Sequence, residues 1–127
     1  MAMITPDPTA PPPLPTASSL LTAAHTFRAF SDPSRLAILQ HLALGEHRVV
    51  DLTLHLALAQ STVSQHLACL RECGLVTSRP QGRSSMFRLT QPEATMEVLA
   101  AGYRLLSLTG DTCVADDARS RPRPVTP

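Results

Sequence analysis

Residues 61–76, STVSQHLACLRECGLV, decide how the rest of the chain is read. Val63, Leu67 and Leu70 recur at helical spacing, Gly74 follows as a left-handed stop, and Leu75-Val76 opens an extended run. Ser-x-Val-Ser-x-His-Leu followed by Leu-Arg-x-x-Gly-Leu-Val therefore reads as a helix able to enter a DNA groove, running into the first strand of a wing. The same helix carries Cys69 and Cys73, four residues apart and so one turn above each other on one face. The remaining cysteine, Cys113, lies far downstream. A groove-sized helix bearing a thiol pair suggests a repressor that answers to a soft metal.

Working outward, the residues before this helix punctuate cleanly. Ser31-Asp32-Pro33 caps a helix with proline at its first position, where the missing N–H costs nothing, and Leu36, Leu39 and Leu42 form its apolar stripe up to Gly45. An earlier helix begins near residues 17–19, with Leu20, Leu21, Ala24, Phe27 and Phe30 at helical spacing. Residues 49–57 read as a third helix and 61–73 as a fourth, parted by a turn at Leu58-Ala59-Gln60. Beyond it, residues 75–78 and 86–89 are short strands around Pro80-Gln81-Gly82-Arg83, a hairpin tip. Pro92-Glu93 opens a last helix with Met96, Leu99, Tyr103 and Leu106 on one face. Three segments result: a Pro-rich arm over 1–16 holding six prolines, a domain over 17–108, and a tail over 109–127 that carries Cys113.

Composition narrows the class. A chain of 127 residues makes one small domain, for which dimerisation is a natural source of further burial. Its net charge of +1 sets up no global basic field. Residues 79–88, however, hold Arg79, Arg83 and Arg88 and no acid. All eleven basic side chains are arginine, which suits phosphate and guanine contacts but equally reflects a GC-rich genome. Three cysteines without a signal-peptide pattern point to a reducing cytoplasm, and no apolar run approaches the roughly 20 residues of a membrane span.

Helix, helix, helix-turn-helix, hairpin, helix resembles the winged helix-turn-helix of the ArsR/SmtB family of metal-sensing repressors. The residues that carry the resemblance are FSDPSRLAIL at 30–39, the stretch 61–76, Gly82-Arg83 and Phe87-Arg88-Leu89, within roughly 20–107. It implies an α+β, mostly helical fold of order α-α-α-α-β-β-α, homodimeric through its first and last helices, with two recognition helices reading an inverted-repeat operator in double-stranded DNA. One departure is Ala57, where the family usually has a turn glycine.

The family's metal sites fall in several places. An arsenic-type site needs Cys-Val-Cys where this chain has Arg48-Val49-Val50, and a zinc-type site needs Asp and His on a last helix that has neither. The CmtR-type cadmium/lead sensors pair two recognition-helix cysteines with one in the tail, and Cys69, Cys73 and Cys113 match that pattern. Three thiolates favour cadmium(II) or lead(II), with zinc(II) and mercury(II) behind them. The bland alternative makes Cys69 and Cys73 small half-buried core side chains.

On the DNA side, Ser61, Thr62, Ser64 and Gln65 occupy the front of the fourth helix, where such side chains reach base edges or phosphate. His66 packs or contacts phosphate, and Arg79, Arg83 and Arg88 would hold phosphates from the wing. His25, His41, His47 and His55 have no ligand spacing that stands out and read as surface or core. The rival within the fold is a thiol-redox switch, which needs the tail thiol because helical cysteines at i,i+4 close poorly. An enzyme with a cysteine nucleophile lacks any adjacent His/Asp relay or Gly-rich elbow.

Overall fold

A computed structural model describes residues 15–110. The expected Pro-rich arm over 1–16 and tail over 109–127, including Cys113, therefore lie almost wholly outside the described residues. Between them run five helices and three strands: α1 (Ala17–Ala29), α2 (Pro33–Ala43), β1 (His47–Arg48), α3 (Val49–Leu56), α4 (Gln60–Glu72), β2 (Val76–Gln81), β3 (Ser84–Leu89) and α5 (Pro92–Thr109).

Local chemistry explains most boundaries. Thr16 and Ser19 form a reciprocal capping box at the start of α1. The Asp32 carboxylate accepts from the Arg35 N–H at 3.0 Å, so α2 starts where Ser-Asp-Pro announced it. At the end of α4 the Leu75 N–H donates to the Leu70 carbonyl at 2.9 Å and the Gly74 N–H to Arg71 at 3.0 Å. That double closure needs a left-handed residue between helix and strand, and Gly74 supplies it at φ 77°. The hairpin turns on Gly82 and Arg83, between the paired Gln81 and Ser84, with Gly82 at φ 62°.

The sheet order is β1-β3-β2, antiparallel throughout. Sequence patterning gave two strands; the third, β1, pairs His47 with Phe87 and Arg48 with Met86. Two residues are too few to display an alternation, and β1 exists because β3 offers it a partner forty residues away in the chain. The hairpin strands also run longer than the pattern suggested, through Pro80 of β2, which faces Ser85 from an outer strand. Proline is tolerated there because the outward edge has no ladder bond to lose.

The core gathers residues from α2, α3, α4, the hairpin and α5. Ile38 and Leu39 from α2, Leu52 from α3, Val63, Leu67 and Leu70 from α4, Val76 and Leu89 from the hairpin and Leu99 from α5 are all buried. Truncating such a residue, Leu70 for instance, costs about 2–5 kcal/mol. The helix-turn-helix is thus held from behind by α2, with the hairpin continuing directly from α4. In contrast, α1 and the second half of α5 keep their apolar side chains in the open: Leu21 is 74% exposed, Phe27 64% and Leu105 62%.

Candidate nucleic-acid interface and thiol pair

Helix α4 presents two different surfaces. Val63, Leu67 and Leu70 are buried inward, so Ser61, Ser64 and Gln65 are forced outward and are exposed, with Thr62 half-buried beside them. No side-chain cap stands at its start: the residue before the helix is Ala59, and Ser61, chosen as the start from sequence, lies one residue inside. The polar front is therefore free of capping duty. His66 turns back into the protein, with its Nε2 3.7 Å from the Asp32 carboxylate and its side chain 18% exposed.

The three wing arginines differ. Arg79 is engaged by Glu46, Nη2 to Oε2 at 2.8 Å and Nε to Oε2 at 3.0 Å. Arg83 at the hairpin tip and Arg88 on β3 are exposed, and their side chains make no hydrogen bond or ion pair among the described residues. Spacing in the sequence does not reveal the Glu46 partnership, since the two residues stand 33 apart. The Asp32–His66 and Arg79–Glu46 pairs both depend on tertiary approach.

Cys69 and Cys73 lie at the other end of α4. Cys73 is the C-cap, its N–H donating to the Cys69 carbonyl at 3.1 Å, and both thiols are free and half-buried. The Cys73 thiol points towards α1, 4.0 Å from the His25 carbonyl, and its side chain packs at the rim of the core. Burial pushes the Cys73 thiol above its ordinary pKa, and the adjoining Cys69 and Glu72 push in the same direction. Cys113, the expected third donor, is outside the described residues. Among the described residues no group of three or more His, Cys, Asp or Glu side chains stands ready to hold a metal ion, and no helix is long and apolar enough to cross a membrane.

Comparison with known proteins places this geometry in context. Residues 32–78, from the cap of α2 through β2, match the model of the "Bacterial regulatory protein, arsR family". A probable mercury resistance operon repressor from Streptomyces lividans is 34% identical over 100 residues, covering 79% of this chain and 77% of that one. The HTH-type transcriptional regulator CmtR of Mycobacterium tuberculosis is 37% identical over 94 residues, covering 73% and 80% respectively. Among solved structures, HlyU from Vibrio cholerae superposes with a TM-score of 0.61 at 34% identity, over 69% of this chain and 98% of that one. The transcriptional repressor BigR from Xylella fastidiosa gives 0.59 at 31%, over 72% and 89%.

Proposed function

Because the chain belongs to the bacterial ArsR family of DNA-binding transcriptional regulators, which are not enzymes, we propose that it is a dimeric metal-responsive repressor. It holds an inverted-repeat operator in the cytoplasm and releases it when Cys69, Cys73 and Cys113 take up cadmium(II) or lead(II). The observation that carries this reading is that one helix bears both the Ser-Thr-Ser-Gln front and the thiol pair. Occupation of the one end is thereby felt at the other.

Ser61, Thr62, Ser64 and Gln65 read base edges and phosphates, and Arg83 and Arg88 hold phosphates from the wing. Arg79 and His66 belong to the same surface by sequence, but each has an intramolecular partner, so they steady the wing and α4 respectively. Cys69 and Cys73 provide two thiolates and leave the remaining coordination positions to the tail. Donor chemistry of this kind suits soft ions. The similarity to a repressor named for mercury resistance points the same way. Since the Cys73 thiol is protonated at neutral pH, uptake of an ion releases protons and affinity rises with pH. Tying the tail to the last turn of α4 lowers DNA affinity by a coupling of about 1–3 kcal/mol.

The test is titration of reduced, metal-free protein with cadmium, followed by operator binding with and without the ion. Cys69→Ser and Cys73→Ser should each leave operator binding intact and abolish metal-induced release; Cys113→Ser should keep weakened metal binding and lose most of the release. A Cys69→Ser or Cys73→Ser protein that still lets go of its operator at the wild-type cadmium concentration would overturn the assignment.

A further inference from the structure

Three histidines scattered along the sequence meet at one corner of the fold. His41 comes from the last turn of α2, His47 from β1 and His55 from the last turn of α3. Their ring centroids are 5.4 Å apart for His41 and His55, 6.0 Å for His47 and His55, and 6.2 Å for His41 and His47. We propose that this triad is a second ion site, distinct from the thiols, that takes a borderline divalent ion such as zinc(II) through three imidazole nitrogens.

The distances set how far the site is from closure. Zinc–nitrogen bonds of about 2.0–2.1 Å in tetrahedral array hold imidazole centres about 5 Å apart. The His41–His55 separation is already near that value, and the other two need to contract by about 1 Å. As they stand, the described residues include no group of three or more such donors that could hold an ion, so uptake includes that contraction. One ring is already oriented: His47 Nδ1 lies 2.7 Å from the Glu46 carbonyl. A carbonyl only accepts, so Nδ1 carries the proton and Nε2 of the neutral ring presents its lone pair. Imidazole ligands are held in this way in metal sites, with the second nitrogen donating to a carbonyl or carboxylate.

The surroundings fit a cation. Burial holds the His47 imidazole below its ordinary pKa, with the help of the two neighbouring rings and against the pull of Asp51. Asp51 is the nearby acid, itself held by the Arg48 N–H at 3.2 Å and the Arg48 guanidinium at 3.6 Å. Glu46 is taken up by Arg79. The fourth coordination position is left to water or to Asp51. Three imidazole nitrogens and no sulfur select against the soft ions that suit thiolates, which separates the two sites by chemistry as well as by place.

The experiment uses the full chain with Cys69, Cys73 and Cys113 all changed to Ser, so that the thiol site is silent. This protein should bind one zinc ion per chain in a chelator competition. Loaded with cobalt(II) instead, it should show ligand-field bands without thiolate charge-transfer absorption. His55→Gln and His41→Gln in that background should each weaken zinc binding more than about tenfold, since even outer-shell partners count on that scale. His55 is exposed, so its substitution leaves the fold intact and carries the test if His41→Gln does not fold. Failure of the thiol-free protein to bind zinc at micromolar concentration, or binding that both glutamine variants leave unchanged, overturns the proposal while leaving the thiol reading untouched.

Discussion

Asp32 joins two parts of the molecule through a single carboxylate. It caps α2 through the Arg35 N–H and faces His66 on α4, so the start of one helix and the middle of another share one acid. Burial works against its charged form, yet the Arg35 and Ser34 N–H groups and the charges of His66 and Arg35 together more than offset it, and its pKa falls below 3.8. A carboxylate with a depressed folded-state pKa lends stability that is present above its ordinary value and lost as pH falls below it. Asp32→Ala should therefore destabilise the protein by about 1 kcal/mol in denaturant melts at neutral pH, the usual cost of a lost cap. Asp32→Asn should lose less, and the gap between Ala and wild type should narrow in melts taken below pH 3.8. The neighbouring Arg35 closes α1 from the other side, donating to the Arg28 and Ala29 carbonyls at 2.9 and 3.0 Å. The Asp-Pro-Ser-Arg run was legible as a helix start; its second role at the end of α1 was not, because that contact is made only once α1 has docked.

Ala57 is the other residue whose position departs from habit. It closes α3 in the left-handed region at φ 54°, alone among non-glycine residues described. The sequence marks it as an alanine where the resemblance asked for glycine, and the backbone keeps the glycine conformation regardless. Ala57→Gly should raise stability by up to about 1 kcal/mol, after the greater unfolded-state freedom of glycine is set against the relieved strain. A melting temperature that drops on this substitution would show that the alanine methyl is packing usefully.

At the scale of elements, periodicity served the helices well and the strands poorly. Apolar spacing located α2, α4 and α5 to within a residue or two; α2 and α4 bury the stripe that spacing marks, whereas α5 buries only Thr95 and Leu99. Nothing local marks β1, whose two residues are ordered only by β3, and nothing local couples Arg79 to Glu46. The candidate site divides the same way. Cys69 and Cys73 were visible because helical spacing puts them on one face, whereas the meeting of His41, His47 and His55 requires three separate elements to converge. On the wing, Arg83 stands free at the turn while Arg79 is engaged. Arg83→Ala should weaken operator binding equally across sequences and reduce the slope of log affinity against log salt by about one. Altered base preference with an unchanged salt slope would assign Arg83 a base-reading role instead.

The whole molecule leaves one large surface unfinished. Phe27, Phe30, Leu36, Val98, Leu99 and Leu106 line an open apolar groove of about 540 Å³ between α1, α2 and α5, flanked by the exposed Leu105. Dimers are typical of the family, and a second copy laid across α1 and α5 would cover this face and set two α4 helices at a fixed separation. Leu105→Glu should give a monomer by sedimentation with a thermal midpoint little changed for the isolated fold, because the side chain is exposed within one chain. Operator affinity should fall with it; a Leu105→Glu protein that remains dimeric would move the interface elsewhere.

The sheet bears on that choice of surface. Its two outer strands are both poor templates for another chain: β1 is two residues long and passes at once into α3, and Pro80 interrupts the free side of β2 with a residue that has no N–H to offer. Copies of the protein that meet edge to edge on these strands find few backbone groups with which to extend the ladder. A closed pair through α1 and α5 is then the end point expected on crowding, and it would leave the wing uncovered.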